Sequence, residues 1–212
     1  MYSVVIPYPS NSKTIDMCLE YLRKNSAYEF EFVPIVDETD VYYAYNKGVY
    51  HSKYDTVVLM NDDMIVSKHW DKYIPLYSSQ KQFLTLNVVE AEPGKMVSGP
   101  ECIRHDCGGI EDFNYDKFQM FVDSTSKLYE PITFNTIGWY MPFVVNQKSF
   151  VSYPNINKFP WYANDGLLIN KVLPELGYNL VKINSYVYHF SKASTRLNYS
   201  QKELDNVPPP KV

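Results

Sequence analysis

Three short stretches carry residues able to do chemistry. The first is Val57-Val-Leu-Met-Asn61-Asp62-Asp63-Met64. An apolar run that stops at two adjacent carboxylates sets like charges side by side, a repulsion that a divalent cation relieves. Oxygen donors of this kind suit Mg²⁺ or Mn²⁺. If the run is a strand of an open α/β sheet, the acids lie at its C-terminal mouth, where such sheets bind ligands. The competing reading is an acidic turn that merely ends a strand, since turns favour Asp and Asn. The second stretch is Asn164-Asp165, after Phe159-Pro-Trp161-Tyr162 and directly before a helical pattern. Asp165 there is either a helix cap or a general base at a pocket mouth, with Trp161 and Tyr162 placed to stack on a sugar face. The third is Val187-Tyr-His189-Phe-Ser-Lys192-Ala-Ser-Thr-Arg196. A histidine ending an apolar run is a structural residue or completes a metal site, and Lys192 and Arg196 beyond it can neutralise a departing diphosphate.

These residues need elements to hold them. Residues 2–7 form a β-branched run ended by Pro7 and read as a buried strand. Ile15, Cys18, Leu19 and Leu22 recur at helical spacing. Residues 30–36 predict a second strand, 44 to about 53 a short helix, and 56–60 a third strand, apolar throughout as when both faces are covered. Ser67 is the expected N-cap of a helix continuing through residues 70–77. This βαβ order implies a parallel sheet. Further on, residues 83–89, 143–145 and 180–188 read as strands, and 91–135 show no clear periodicity. Residues 152–160 are rich in Pro and Asn. A helical spacing follows from Leu167 to Leu176, interrupted by Pro174 and closed by Gly177.

Composition excludes several classes. The 212 residues include only 8 glycines, at 48, 94, 99, 108, 109, 138, 166 and 177. None of these makes a dinucleotide fingerprint or a P-loop, so any phosphate here is held without a glycine-rich nest. The net charge of −4, from 20 basic and 24 acidic residues, argues against a nucleic-acid partner. No apolar run approaches the roughly 18 residues of a transmembrane segment, and the N-terminus lacks the basic and long apolar regions of a signal peptide. Three cysteines without C-x-x-C spacing fit a reducing, cytoplasmic compartment. Aromatic residues make up 16% of the chain; the 20 tyrosines fit either a carbohydrate-facing surface or an aromatic core.

Taken in order, the motifs resemble those of GT-A glycosyltransferases, particularly of the family 2 type, from Val4 to about Thr195. Val4-Val-Ile-Pro7 is similar to that family's opening strand, and Ile35-Val-Asp37-Glu-Thr-Asp to its second strand with a base-contacting Asp. Asn46-Lys-Gly48 and then Asp55-Thr-Val-Val-Leu-Met-Asn61-Asp-Asp63 resemble the approach to the D-x-D motif. Ile137-Gly138-Trp139 followed by Phe143-Val-Val resembles the segment lining the donor sugar. Asn164-Asp165-Gly-Leu-Leu-Ile-Asn-Lys resembles the E-D motif, and His189 falls where the family places a metal-binding His. Two positions depart from the pattern: Asn61 supplies no charge at the first D-x-D position, and Asn164 replaces the first acid of E-D.

The resemblance implies an α/β, GT-A type fold with a single mostly parallel central sheet flanked by helices. A Rossmann-like nucleotide-binding half would span about residues 1–90 and an acceptor half about 91–205, with 206–212 a Pro-rich tail or a linker to a further domain of a longer polypeptide. It implies a nucleotide-diphosphate sugar donor, UDP favoured, and a glycan or glycoconjugate acceptor. Asp63 and His189 would hold Mn²⁺ or Mg²⁺, with Lys192 and Arg196 on the diphosphate. Pro7, Tyr8, Asp37, Asn46, Asn61 and Asp62 would serve the nucleotide, Tyr8 by stacking on the base, and Asp62 has the alternative of orienting the sugar. Gly138, Trp139, Trp161, Tyr162 and Asn164 would face the sugars. Asp165 would act as general base in an inverting displacement, with retention the alternative on the same fold. A nucleotidyltransferase would need a Gly-rich signature near the first strand, which Tyr8-Pro-Ser-Asn-Ser lacks. A non-catalytic nucleotide-sugar or carbohydrate-binding module is the reading that Asn61 and Asn164 keep open. Cys102-x-x-His105-x-Cys107 lacks the standard spacing and fourth ligand of structural zinc, and reads as loop cysteines.

Overall fold

The computed structural model describes residues 1–38, 40–79, 81–91, 102–128, 130, 132–134, 141–150 and 172–190. The N-terminal third follows the βαβ expectation. Strand β1 (Tyr2–Tyr8) is buried along most of its length and pairs in parallel with β2 (Phe30–Val36) and β3 (Thr56–Leu59). Helix α1 (Ile15–Asn25) buries Ile15, Cys18 and Leu22, the stripe its spacing predicts. Helix α2 (Val41–His51) starts at Asp40, whose side chain accepts from the amides of Tyr42 and Tyr43 and so caps the first turn. Gly48 lets α2 lie against β1, because a Cβ there would fall 2.1 Å from Val5 Cγ1.

Beyond residue 60 the architecture departs from the sequence reading. The nine described strands form one sheet in the order β2, β1, β3, β8 (Phe143–Asn146), β5 (Gln82–Glu90), β9 (Asn179–His189) and β4 (Met64–Val66), with β6 (Ile103–Arg104) added to β5 and β7 (Ile132–Phe134) to β9. Strand β8 (Phe143–Asn146) runs antiparallel to both β3 and β5 (Gln82–Glu90). The last strand, β9 (Asn179–His189), is parallel to β5 but antiparallel to β4 (Met64–Val66) and β7 (Ile132–Phe134). The sheet is therefore mixed, not mostly parallel. For β4 the physical reason is connection length: four residues separate β3 from β4, far too few for the crossover a parallel return needs.

That short link also bends the sheet. Strand β4 lies four places from β3 in the strand order, about 19 Å away in a flat sheet. Five residue steps reach about 18 Å only at full extension, and this segment must also reverse direction. The sheet curls to bring β4 round, and a register shift in β5/β9 between Thr85 and Asn87 helps it turn. Asn87 Nδ2 donates to the carbonyls of Ile183 and Ser185 across this shift.

Two expectations for helices also change. Ser67 is no cap: it is buried, and its amide donates to Tyr186 O. Turns occupy residues 68–73, and the helix is confined to α3 (Ile74–Tyr77). Within 91–135 lies a helix the periodicity did not reveal, α4 (Tyr115–Thr125), capped by Asn114. It buries Phe118 and Val122 in a second aromatic-rich core with Tyr186, Tyr188 and Phe190. The final helical pattern is described only as a turn of helix at Leu173–Glu175.

Candidate functional site

Strand direction explains where the site lies. Strands β1, β2 and β3 are parallel, and β8 is antiparallel to both β3 and β5, so β5 and β9 point the same way as the first three. Five carboxyl ends therefore share one edge of the curled sheet. Tyr8 ends β1, Asp37 follows β2, Asn61-Asp62-Asp63 follows β3, Glu90 ends β5 and His189 ends β9.

At the β1/β2 end, the Asp37 amide donates to Tyr8 O at 3.1 Å, and Asp37 Oδ1 accepts from the Ser10 amide at 2.7 Å. Asp37 is exposed and sits at φ 56°, a left-handed conformation that Asp tolerates better than most side chains. Tyr8 and Pro7 are half-buried beside it. The structure thus brings Tyr8 and Asp37 together at an accessible lip.

The acidic turn divides its side chains. Asn61 Oδ1 accepts from Tyr45 Oη at 2.5 Å, which ties the turn to α2; Asn46, the next residue on that helix, is half-buried. Asp62 is buried, and its Oδ2 takes the Ser12 hydroxyl at 2.5 Å and the Thr14 hydroxyl at 3.2 Å. Burial and then the charge of Asp63 push the Asp62 carboxyl up to about 6, against the pull of those hydroxyls. Asp62 therefore meets the loop between β1 and α1, whereas Asp63 meets β9. Cys18 lies beneath the turn, its thiol pushed up by burial and by both aspartates.

Asp63 and His189 come together as expected. Met64 pairs with His189, and the Phe190 amide donates to Asp63 O at 3.0 Å, so the backbone fixes the two side chains side by side. His189 Nε2 lies 3.3 Å from Asp63 Oδ1. Adjacent ligands of an octahedral ion at about 2.1 Å lie about 3 Å apart, so this pair fits two neighbouring coordination positions. Among the described residues no cluster of three or more His, Cys, Asp or Glu is arranged to hold a metal. Asp63 and His189 are therefore a pair that could contribute two ligands and not a complete metal site among the described residues.

Sequence reasoning missed the residue behind the histidine. Glu90 is fully buried, and its Oε1 lies 2.6 Å from His189 Nδ1. The parallel register that pairs Val89 with Tyr188 makes Glu90 and His189 neighbours at the ends of β5 and β9. Burial alone would lower the His189 pKa, but the charge of Asp63 and then the Glu90 hydrogen bond hold it up, near 10. A glutamate closing an apolar strand was the available signal; its partner became visible only with the strand order.

The remaining expected site residues, Gly138, Trp139, Trp161, Tyr162, Asn164, Asp165, Lys192 and Arg196, lie outside the described residues. Cys102 and Cys107 form no disulfide, the latter is buried, and His105 stacks on Phe121. Among the described residues no helix is long and apolar enough to cross a membrane. No protein-family model and no curated protein matches the chain. A solved structure does: A197 from STIV, with a TM-score of 0.52 at 12% identity, the match covering 91% of this chain and 87% of that one. At that identity the likeness is one of fold.

Proposed function

We propose that this chain is a metal-dependent glycosyltransferase of GT-A type, acting in the cytoplasm. It would move a sugar from a nucleotide-diphosphate donor, UDP-sugar favoured, to a hydroxyl of a glycan or glycoconjugate. The observation that carries this reading is the pairing of Asp63 with His189 at the edge where five strand ends meet. Bound there, Mn²⁺ or Mg²⁺ would stabilise the charge that develops on the leaving diphosphate. Asp63 and His189 would hold the ion, and imidazole beside carboxylate favours Mn²⁺ over the more strictly oxygen-seeking Mg²⁺. Tyr8 and Asp37, joined through the backbone, would receive the base and ribose, while Asp62 keeps the intervening loop in place. Asp165 is the proposed base that takes the acceptor hydroxyl's proton, and Lys192 and Arg196 the proposed diphosphate partners.

The test is transfer or donor hydrolysis with a panel of nucleotide sugars, with and without EDTA, alongside Asp165→Asn. Turnover that chelation abolishes and the variant cripples supports the reading; unchanged transfer by the variant sinks the base assignment. A second reading, a nucleotide-sugar-binding module without chemistry, is favoured by Asn61, which is engaged by Tyr45 and brings no charge. Metal-dependent nucleotide binding without turnover of any donor would select it.

A further inference from the structure

We propose that Glu90 positions His189 for the cation and sets how tightly the site binds it. This rests on the metal-site reading above and adds a residue to it. An imidazole that offers Nε2 to a metal needs its ring turned and its Nδ1 protonated. The group that accepts the Nδ1 proton fixes the tautomer and makes Nε2 more basic. Glu90 Oε1 stands 2.6 Å from Nδ1, on the side of the ring opposite the 3.3 Å approach of Nε2 to Asp63.

Three observations make this more than a chance contact. Glu90 is fully buried and His189 nearly so, its side chain only 12% exposed. A fully buried carboxylate is costly unless it is paired or opposed by a cation. The contact is built into the strand ladder, since β5 and β9 place the two residues at adjoining strand ends. Further, the two carboxylates divide the ring between them, Glu90 on Nδ1 and Asp63 on Nε2, so each nitrogen of His189 faces its own acid. Glu90 Oε2 is buried and accepts no hydrogen bond among the described residues, so Oε1 and its histidine carry the known partnership of this side chain.

The experiment is calorimetric titration of the full chain with Mn²⁺, with and without UDP, for wild type, Asp63→Asn, Glu90→Gln and Glu90→Leu. Circular dichroism and metal-free melting curves report whether each variant is folded. Glu90→Gln keeps an acceptor for Nδ1 but removes the charge, and should weaken Mn²⁺ about 10-fold; Glu90→Leu removes both and should weaken it up to about 100-fold. The ordering wild type, Gln, Leu is what a purely structural glutamate would not produce. Wild-type affinity in either folded variant overturns the proposal while leaving the metal site standing, provided that Asp63→Asn loses the ion. If Glu90→Leu does not fold, Glu90→Gln alone decides. Absence of Mn²⁺ binding by the wild type under both conditions overturns the metal site and this role together.

Discussion

Ser12 Oγ donates to Asp62 Oδ2 at 2.5 Å and accepts from the amides of Thr14 and Ile15, each at 3.2 Å. One hydroxyl thereby starts helix α1 and fastens the loop after β1 to the acidic turn. Asp62 is thus the fixed half of the turn, and Asp63 is the half aimed at β9. The division separates two carboxylates that could not comfortably share one small space.

Replacing Asp62 should therefore act in opposite directions according to what is kept. Asp62→Asn retains an acceptor for Ser12 and removes a buried charge beside Asp63, so the metal-free protein should become more stable. Asp62→Ala leaves the two hydroxyls without their acceptor and should cost about 1–3 kcal/mol. Urea unfolding of both variants in EDTA checks the signs; a loss of stability in Asp62→Asn would contradict the like-charge account.

Gly48 should not tolerate a methyl group. Val5 is fully buried and β-branched, so its Cγ1 cannot swing clear of a Cβ arriving at 2.1 Å. Gly48→Ala should cost about 1–3 kcal/mol by overpacking, despite alanine's better helix propensity. Adding Val5→Ala should recover part of that loss, and equilibrium unfolding of the double-mutant cycle measures the coupling.

The acid limb of stability should contain a contribution from Glu31. Burial alone would push its carboxyl up. The Lys53 amide at 2.8 Å, the Ser3 hydroxyl at 2.7 Å and the Lys53 charge outweigh it and hold the carboxyl below its usual range. A depressed folded-state pKa gives stability that is complete above the unfolded pKa, about 4.3, and is lost as pH falls through the folded value. The stability difference between wild type and Glu31→Gln should shrink over that acid range. A difference that stays constant between pH 6 and pH 2 in urea titrations would rule the contribution out.

Metal should also stabilise the fold itself. Mn²⁺ at about 100 times its dissociation constant should add about 2.7 kcal/mol, read as a rise in melting temperature that EDTA reverses. His189→Ala should lose the rise. A melting temperature that does not respond to Mn²⁺, with or without UDP, would count against the pairing of Asp63 and His189 as ligands.

Much of the N-terminal third was legible because its signals are strong and local. The strands β1 and β3 are continuous apolar runs covered on both faces, and α1 carries an uninterrupted buried stripe. Strand β4 was hidden because Met64-Ile-Val is too short to stand apart from the turn before it. Helix α4 was hidden because the exposed Met120 blurs the stripe of Tyr115, Phe118, Phe121 and Val122 that packs into the core. The direction of β8 could not be read, since nothing in Phe143-Val-Val states which neighbours it will find. Of the candidate site, Asp63 and His189 were found by residue type at strand ends. Glu90 was not, because an acid closing an apolar run looks like a solvent-facing stop until the neighbouring strand is known.

Strand β9 is the last described strand in the chain, yet it lies between β5 and β4 inside the sheet. During synthesis, therefore, Asp63 and Glu90 exist for many residues before the imidazole that separates them does. A nascent chain ending before residue 179 has the two acids, an open edge on β5 and, among the described strands, no partner for β4. Among the described strands, β9 therefore both closes the sheet and brings Asp63, His189 and Glu90 together.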